Sequence, residues 1–166
     1  MTYDIYISGI KHDSIVDGDS LRNVIFISGC WWSCEGCHNP STHSPLSGTK
    51  MSITEVVKDV LSDDNDITLS GGDPFTYQIN NTIELLKQIK NKKADVNIWC
   101  YTGYKWEDMI TVQKIQTALK YIDVIVDGKY ISSLKSDNMR FKGSANQRII
   151  AVKQSLNENE VVLWNE

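Results

Sequence analysis

Residues 66–74 are Asp66-Ile67-Thr68-Leu69-Ser70-Gly71-Gly72-Asp73-Pro74, a short apolar and β-branched run that stops at two glycines and a proline. The run predicts a buried β-strand, and the residues after it predict a turn. On either side, apolar residues recur with the spacing of a helix, and Ser52 with Glu55 predicts a capping box for the first helix. The two apolar helix faces are Ile53, Val56, Val57, Val60 and Leu61 before the strand, and Ile79, Ile83, Leu86 and Ile89 after it.

The same alternation of strand and helix extends in both directions. Further strands are predicted at residues 23–28, 96–101 and 122–126, a helix at 106–119, and short extra strands at 148–152 and 161–164. Strands that alternate with helices indicate βαβ units. Because a closed eight-unit barrel takes about 250 residues, the 166 residues here predict a single α/β domain over residues 1–166. We expect a small, incomplete (β/α) barrel or a curled, mainly parallel sheet.

The composition argues against several classes of protein. The net charge is −4, so no basic surface for nucleic acid is predicted. No apolar run approaches the roughly 20 residues that span a membrane. The N-terminus lacks the basic and apolar regions of a secretory signal, which favours a cytoplasmic location. A mildly acidic enzyme that binds neither nucleic acid nor membrane is the expectation.

Unusual residues follow four of the predicted strands. They are a cysteine-rich loop at residues 30–37, the turn Gly71-Gly72-Asp73-Pro74, Thr102-Gly103 and Asp127-Gly128. Ligands of α/β folds bind beyond the carboxyl ends of parallel strands. We therefore expect these four segments to meet at one edge of the sheet and to form a binding site there.

The cysteine loop has the spacing C-x3-C-x2-C, with Cys30, Cys34 and Cys37 as its three thiols. A [4Fe–4S] cluster has four irons and is normally held by four ligands. Three cysteines in one short loop can hold three irons and leave the fourth open to a ligand that is not part of the protein. The loop therefore predicts a cluster with one iron that cysteine does not bind.

Two other metal sites are compatible with these cysteines. His38 or His43 could complete a Cys3His zinc site in an interaction domain without enzymatic activity. Alternatively, Cys100 could be a remote fourth ligand of a cluster that only transfers electrons. Cys100 lies in an apolar strand, however, where a cysteine usually serves as a small buried hydrophobic residue.

The cysteine spacing resembles the signature of radical S-adenosylmethionine enzymes. Residues 16–22, residues 25–30 and Cys37-His38-Asn39 are similar to the corresponding stretches of glycyl-radical-enzyme activases, although Gly18-Asp19-Ser20-Leu21-Arg22 stands where those families commonly have Gly-Pro-Gly-x-Arg. Four more motifs, in family order, resemble the activases of the anaerobic (class III) ribonucleoside-triphosphate reductase. They are residues 68–74, 99–104, 123–130 and 143–148, with Lys142 where that family usually has arginine.

The resemblance implies a fold of the radical S-adenosylmethionine type and a reaction. Reductive cleavage of S-adenosylmethionine at the cluster would give a 5′-deoxyadenosyl radical, which would generate a glycyl radical on the reductase. A low-potential electron donor and a homodimer are also implied, and the alternative within this chemistry is an activase of the pyruvate formate-lyase type. Trp31 and Trp32 either pack beside the cluster or form part of a partner surface. The residues implied to bind the cofactor are Gly36, Cys37, His38, Gly71, Gly72, Asp73, Thr102 and Asp127.

Overall fold

The computed structural model describes residues 3–165 of the chain; Met1 and Thr2, which entered the prediction of no secretory signal, and Glu166 lie outside this range. Within it, no helix is long and apolar enough to cross a membrane. In chain order the helices and strands are β1 (Asp4–Ser14), β2 (Arg22–Ile27), β3 (Thr49–Ser52), α1 (Ile53–Val60), β4 (Asp66–Gly71), α2 (Ile79–Lys92), β5 (Ile98–Tyr101), α3 (Trp106–Met109), α4 (Gln113–Leu119), β6 (Val124–Asp127), β7 (Arg148–Ala151) and α5 (Val152–Glu158).

These strands form one seven-stranded sheet in the order β3-β1-β2-β4-β5-β6-β7. The four central strands β2, β4, β5 and β6 are parallel neighbours. By contrast, β1 pairs antiparallel with both β2 and β3, and β7 pairs antiparallel with β6. The prediction of a mainly parallel sheet therefore holds for the centre and is wrong for the edges. Since β3 and β7 end the order without pairing to each other, the sheet is not closed.

The helices between the parallel strands cover one face of the sheet. The chain visits β2, β4, β5 and β6 in their order across the sheet, and right-handed connections in one direction place all their helices on the same face. Accordingly, α2 packs against both α1 and α4. Alternate strand residues face opposite sides. Ile98, Cys100 and Ile125 thus join the main apolar core beneath the helices, whereas Trp99 and Val126 belong to a smaller buried cluster.

The two amphipathic patterns of the sequence are confirmed as α1 and α2. The capping box is present, with the Ser52 N–H donating to Glu55 Oε2 at 3.4 Å. The single helix predicted over 106–119 is wrong, because Val112 adopts an extended conformation and separates α3 from α4. At the C-terminal end, the predicted strand 148–152 is β7 followed directly by α5, and Leu163 forms only an isolated bridge with Ile150.

Arg22 is the large buried cation of the sheet, with 1% of its surface exposed. Its Nε donates to Thr68 Oγ1 at 2.9 Å, and its Nη2 donates to the Asn97 side-chain oxygen at 2.7 Å and to the Ile67 carbonyl at 3.2 Å. Burial lowers its pKa to about 10, so the guanidinium stays charged at neutral pH. It links β2, β4 and the segment before β5 through hydrogen bonds to uncharged acceptors.

Replacing Arg22 by methionine should therefore destabilise the sheet. Arg22→Met keeps a long apolar stem but leaves several buried acceptors without a donor, and each such group costs about 1–3 kcal/mol. We expect a loss of about 3 kcal/mol in the free energy of unfolding, measured by urea denaturation without oxygen. The exposed Lys87→Met on α2 is the matched control and should change stability by less than about 0.5 kcal/mol. Equal stability of the two variants would contradict this role.

Candidate functional site

A cavity of about 650 Å³ lies at the carboxyl ends of the four parallel strands. All four unusual segments of the sequence reach this edge, and residues from each loop line the cavity. Of the residues proposed from the sequence, those that line it are Cys30, Cys34, Cys37, His38, Gly71, Gly72, Asp73 and Thr102. Gly36 and Asp127 are not among the lining residues, although Gly128 is. The cavity has the size of a site for a cofactor or small ligand.

Backbone hydrogen bonds hold the start of the cysteine loop in place. Beyond β2, the Gly29 N–H donates to the Thr42 carbonyl at 2.7 Å and the Cys30 N–H donates to the His43 carbonyl at 3.0 Å. A turn inside the loop brings Cys34 and Cys37 together, with the Cys37 N–H donating to the Cys34 carbonyl at 3.2 Å. The three thiols are therefore presented by a closed loop.

The three loop cysteines are partly buried and free of disulfides. Burial raises the pKa of Cys30 to about 11, although the backbone N–H groups of Trp32 and Ser33 favour its thiolate. Burial likewise raises the pKa of Cys34, against which the Tyr130 backbone and the Lys129 ammonium favour the thiolate. Metal binding must therefore displace protons from these thiols. Thiolates are the soft ligands that iron–sulfur clusters take, so the donor set fits such a cluster.

Cys100 lies on the opposite face of the sheet. It is fully buried in the core beneath the helices and does not line the cavity. Burial raises the pKa of its thiol well above the usual value. The interpretation of Cys100 as a small buried hydrophobic residue is confirmed, and its side chain is not placed to be a fourth ligand.

His38 and His43 do not form a site for a single metal ion with the cysteines. Within residues 3–165, no three His, Cys, Asp or Glu side chains are grouped as ligands of one ion. The His38 ring lies instead against Tyr130, with 4.8 Å between ring centroids. A cubane distributes its cysteine ligands over several irons, so its ligands need not converge on one point as zinc ligands must.

Asp73 is a buried carboxylate that connects three loops. Its Oδ2 accepts hydrogen bonds from the Trp32 indole N–H at 2.7 Å and from the Gly103 N–H at 2.8 Å. The Thr102 hydroxyl lies 2.9 and 3.0 Å from its two oxygens, and the Phe75 N–H donates to Oδ1 at 2.9 Å. Burial raises the pKa of this carboxyl. Asp73 and Thr102 thus hold the cysteine loop, the β4 turn and the β5 turn together at the cavity wall.

Gly71 and Gly72 allow the β4 turn to approach the end of β2 closely. Gly71 has φ = +99°, and a Cβ there would lie 2.7 Å from the Ile27 nitrogen. A Cβ on Gly72 would lie 2.4 Å from the Gly29 carbonyl oxygen. Both positions therefore require glycine, because neighbouring backbone atoms leave no room for a side chain.

Asp127 holds the β6 turn rather than the cavity wall. One of its oxygens accepts from the Trp106 N–H at 2.9 Å, at the start of α3, and the carboxylate forms an ion pair with Arg148 at 2.5 Å. Arg148 also pairs with Glu107 at 2.8 Å. These contacts give the final arginine of the 143–148 motif a structural role that the sequence did not reveal.

Two other residues of that motif bind the backbone after β6. Gln147 Nε2 donates to the Gly128 carbonyl at 2.9 Å, and its Oε1 accepts from the Gly143 N–H at 2.8 Å. Asn146 Nδ2 donates to the Lys129 carbonyl at 2.7 Å. Lys142 Nζ donates to the Gln147 carbonyl at 3.1 Å. Asn146 and Gln147 therefore fix the backbone of residues 128–130, which faces Cys34. In the sequence, the polar amide side chains of Asn146 and Gln147 are the only indication of this role.

The two tryptophans of the cysteine loop lie in different places. Trp32 lines the cavity, packs edge to face on Tyr104 and has the Lys129 ammonium 4.6 Å from its ring centre. Trp31 is exposed and contacts Tyr77. Of the two roles that the sequence left open, the structure places Trp32 beside the cysteines and Trp31 on the outer surface.

Comparisons with known proteins agree on one family. The sequence family described as 4Fe-4S single cluster domain matches residues 16–150. An anaerobic ribonucleoside-triphosphate reductase-activating protein of Vibrio cholerae is 36% identical over 142 residues, covering 81% of this chain and 90% of the relative. Proteins of the same name from Enterobacteria phage T4 and Escherichia coli K12 are 37% and 35% identical, over 81% and 80% of this chain and 86% and 90% of the relatives. The chain therefore belongs to the family of anaerobic ribonucleoside-triphosphate reductase-activating proteins.

Proposed function

We propose that this protein is the activating enzyme of an anaerobic ribonucleoside-triphosphate reductase and that it generates a glycyl radical on that partner. The observation on which the proposal depends is the meeting of Cys30, Cys34 and Cys37 on one cavity at the carboxyl edge of the sheet. The names of the relatives support the reaction and the partner. The match to a single-cluster 4Fe-4S family supports the metal cofactor.

In this proposal Cys30, Cys34 and Cys37 hold three irons of a [4Fe–4S] cluster. The fourth iron is left to S-adenosylmethionine, for which the rest of the 650 Å³ cavity offers room. When bound, the cluster and S-adenosylmethionine supply the radical chemistry, which is the reductive cleavage of the cofactor and the removal of a hydrogen atom from a glycine. The protein positions and tunes these groups.

The residues of this chain have separate tasks in that arrangement. Cys30 and Cys34 must lose their protons, and the nearby backbone N–H groups and the Lys129 ammonium favour their thiolates. Asp73 orients Trp32 at the cavity wall. The backbone of Gly71-Gly72 and the side chain of His38 line the cavity and are proposed to contact the cofactor.

The remaining cofactor-binding assignments stay predictions. Thr102 and Asp73 line the cavity, but their polar atoms already bind each other in this structure, which favours a role in orienting the wall. Gly36 and Asp127 do not line the cavity. A homodimer, a single-domain organisation over residues 1–166, a fold of the radical S-adenosylmethionine type and a cytoplasmic location also remain predictions from the sequence.

The competing functions have less support. The relatives of Vibrio cholerae, phage T4 and Escherichia coli bear the name of the ribonucleotide reductase activase, which favours that partner over a pyruvate formate-lyase. The match to a family described as a 4Fe-4S single cluster domain favours an iron–sulfur cluster over a zinc ion. Purification without oxygen separates these classes, because an iron–sulfur protein is brown and a zinc protein is colourless.

The direct test of the proposal is product analysis. The protein is reconstituted with iron and sulfide, reduced with dithionite, and mixed with S-adenosylmethionine and the reductase. We expect 5′-deoxyadenosine, methionine and the electron paramagnetic resonance doublet of a glycyl radical on the reductase. An assembled cluster that never cleaves the cofactor would refute the enzyme assignment.

Replacement of any loop cysteine should abolish cluster assembly. In Cys30→Ser, Cys34→Ser or Cys37→Ser, a harder hydroxyl replaces a soft thiolate ligand. We expect bound iron and sulfide to fall from about four per chain to well below one, with loss of 5′-deoxyadenosine formation. Cys100→Ser is the matched control and should retain the cluster. A full cluster in any loop variant, or its loss in Cys100→Ser, would contradict the ligand assignment.

Asp73→Asn should separate cluster assembly from catalysis. In the asparagine variant, an NH₂ group replaces one carboxylate oxygen and faces N–H groups that now donate hydrogen bonds to that oxygen. Because two donors cannot bond to each other, Trp32 and the β5 turn should shift. Small displacements of groups that position a substrate can cost about 100-fold in rate. We expect a normal iron content and a rate of dithionite-driven 5′-deoxyadenosine formation lowered by about that factor. Asp108→Asn on α3 is the control, and an unchanged rate in Asp73→Asn would show that the contacts of Asp73 are dispensable.

A further inference from the structure

The connection between β6 and β7 forms part of the cavity wall, and we call residues 135–144 of it the strap. The two ends of the strap are held together. The Ala145 N–H donates to the Leu134 carbonyl at 2.9 Å, and the Ile131 N–H donates to Ser144 Oγ at 3.1 Å. The strap residues that line the cavity are Met139, Arg140, Phe141, Lys142 and Gly143. Surface loops whose ends lie close together are frequently functional.

The strap divides into an exposed part and a part that faces the cavity. Residues 135–138 are exposed, whereas Met139 and residues 141–143 are partly buried. Segments with few buried contacts open locally at a low cost in free energy. The strap is therefore a part of the cavity wall that can move while the sheet stays folded.

Phe141 attaches the strap to the sheet. Its ring packs edge to face against Trp99, with centroids 5.4 Å apart, and lies 6.2 Å from Trp164. Its carbonyl accepts a hydrogen bond from the Tyr101 hydroxyl at 2.6 Å. Since Trp99 and Tyr101 both belong to β5, these contacts fasten the strap to the strand that leads to Thr102.

The backbone of Phe141 is strained in the attached position. Its φ is +66°, which lies in the left-handed region that is unfavourable for a residue with a bulky side chain. Such conformations persist where surrounding contacts hold them, and they cluster at functional sites. The Tyr101 hydrogen bond and the ring contacts of Phe141 therefore oppose a backbone strain that favours release of the strap.

The position of the strap sets the width of the cavity. A Cβ on Gly143 would lie 3.2 Å from Cε1 of His38, so the strap reaches the residue that follows Cys37. Ile15 and Val16, from the connection between β1 and β2, also line the cavity, although 72% and 63% of their surfaces are exposed. A glycine in another protein reaches the cysteines only through an opening that is wide enough for a peptide backbone.

We infer that the strap closes the cavity in the free protein and opens to admit the glycine-bearing segment of the partner reductase, and that Tyr101 and Phe141 are the positioning residues that hold it closed. The inference rests on the proposed function, in which the substrate is the backbone of another protein. A closed strap excludes water from the cluster site. Contacts of the partner with the open state must offset the loss of the Phe141 contacts, and Ile15 and Val16 offer apolar surface for them.

The first test measures opening of the strap in the reconstituted free protein. Trypsin cleavage after Arg140 and Lys142 requires the strap to leave the cavity, so its rate reports the open population. Tyr101→Phe removes the hydrogen bond to the strap and keeps the ring, whereas Phe141→Ala removes the ring contacts. We expect each variant to raise the cleavage rate at these two sites about five-fold, as followed by mass spectrometry.

Two controls separate opening of the strap from a general loss of stability. Cleavage after Lys120, an exposed residue at the end of α4, should be the same in all variants. Tyr121→Phe removes the hydroxyl of a tyrosine that does not line the cavity, and it should be cleaved in the strap at the wild-type rate.

The second test measures entry of the partner. If the partner binds only the open state, its apparent Kd falls in proportion as the open population rises. We expect Tyr101→Phe to bind the reductase about five-fold more tightly than the wild type, measured by biolayer interferometry without oxygen, and to keep its full content of iron and sulfide. Simple damage to the cavity wall would weaken binding instead.

Two results would overturn the inference. One is cleavage of the strap at the wild-type rate in both Tyr101→Phe and Phe141→Ala. The other is a reductase affinity of Tyr101→Phe that is unchanged or weaker although its cluster is complete. Failure of the proposed function is distinguishable, because it would appear as a wild-type protein that does not cleave S-adenosylmethionine with dithionite, whereas the trypsin test requires no turnover.

Discussion

The carboxylate of Asp73 connects the cysteine loop to the sheet. It accepts hydrogen bonds from Trp32, Thr102, Gly103 and Phe75, so one buried group joins the loops that follow β2, β4 and β5. Taking a carboxylate out of water is costly unless its oxygens are hydrogen-bonded. Each donor must therefore stay in place for the others to be stable, and this mutual dependence keeps the wall of the cavity in a single arrangement beside the cysteines.

The parallel centre of the sheet explains why those loops meet. Because β2, β4, β5 and β6 run in the same direction, their carboxyl ends share one edge. Gly71 and Gly72 bring the β4 turn against Ile27 and Gly29. On the far side, Asn146 and Gln147 fix the backbone after β6. The loop that carries the thiols is thus held on both sides. The three cysteines are partly buried and line a cavity of about 650 Å³.

The features that the sequence predicts well depend on buried periodic patterns. The strands β2 and β4 and the helices α1 and α2 are visible because one side of each packs in the core. Cys30, Cys34 and Cys37 are visible through their spacing. By contrast, β3 is a short, partly exposed strand without alternation, and β1 owes its position to pairing with β2 and β3. The contacts of Asp73, Arg22 and Gln147 join residues far apart in the chain, so no local pattern could reveal them.

We propose that three cysteines hold a [4Fe–4S] cluster whose fourth iron is left to S-adenosylmethionine. Mössbauer spectroscopy of protein reconstituted with ⁵⁷Fe measures the irons separately. We expect that, on addition of S-adenosylmethionine, about one quarter of the iron changes its isomer shift and quadrupole splitting while the rest keeps its values. A spectrum in which all the irons stay the same would contradict the open iron and would leave a cluster that only transfers electrons.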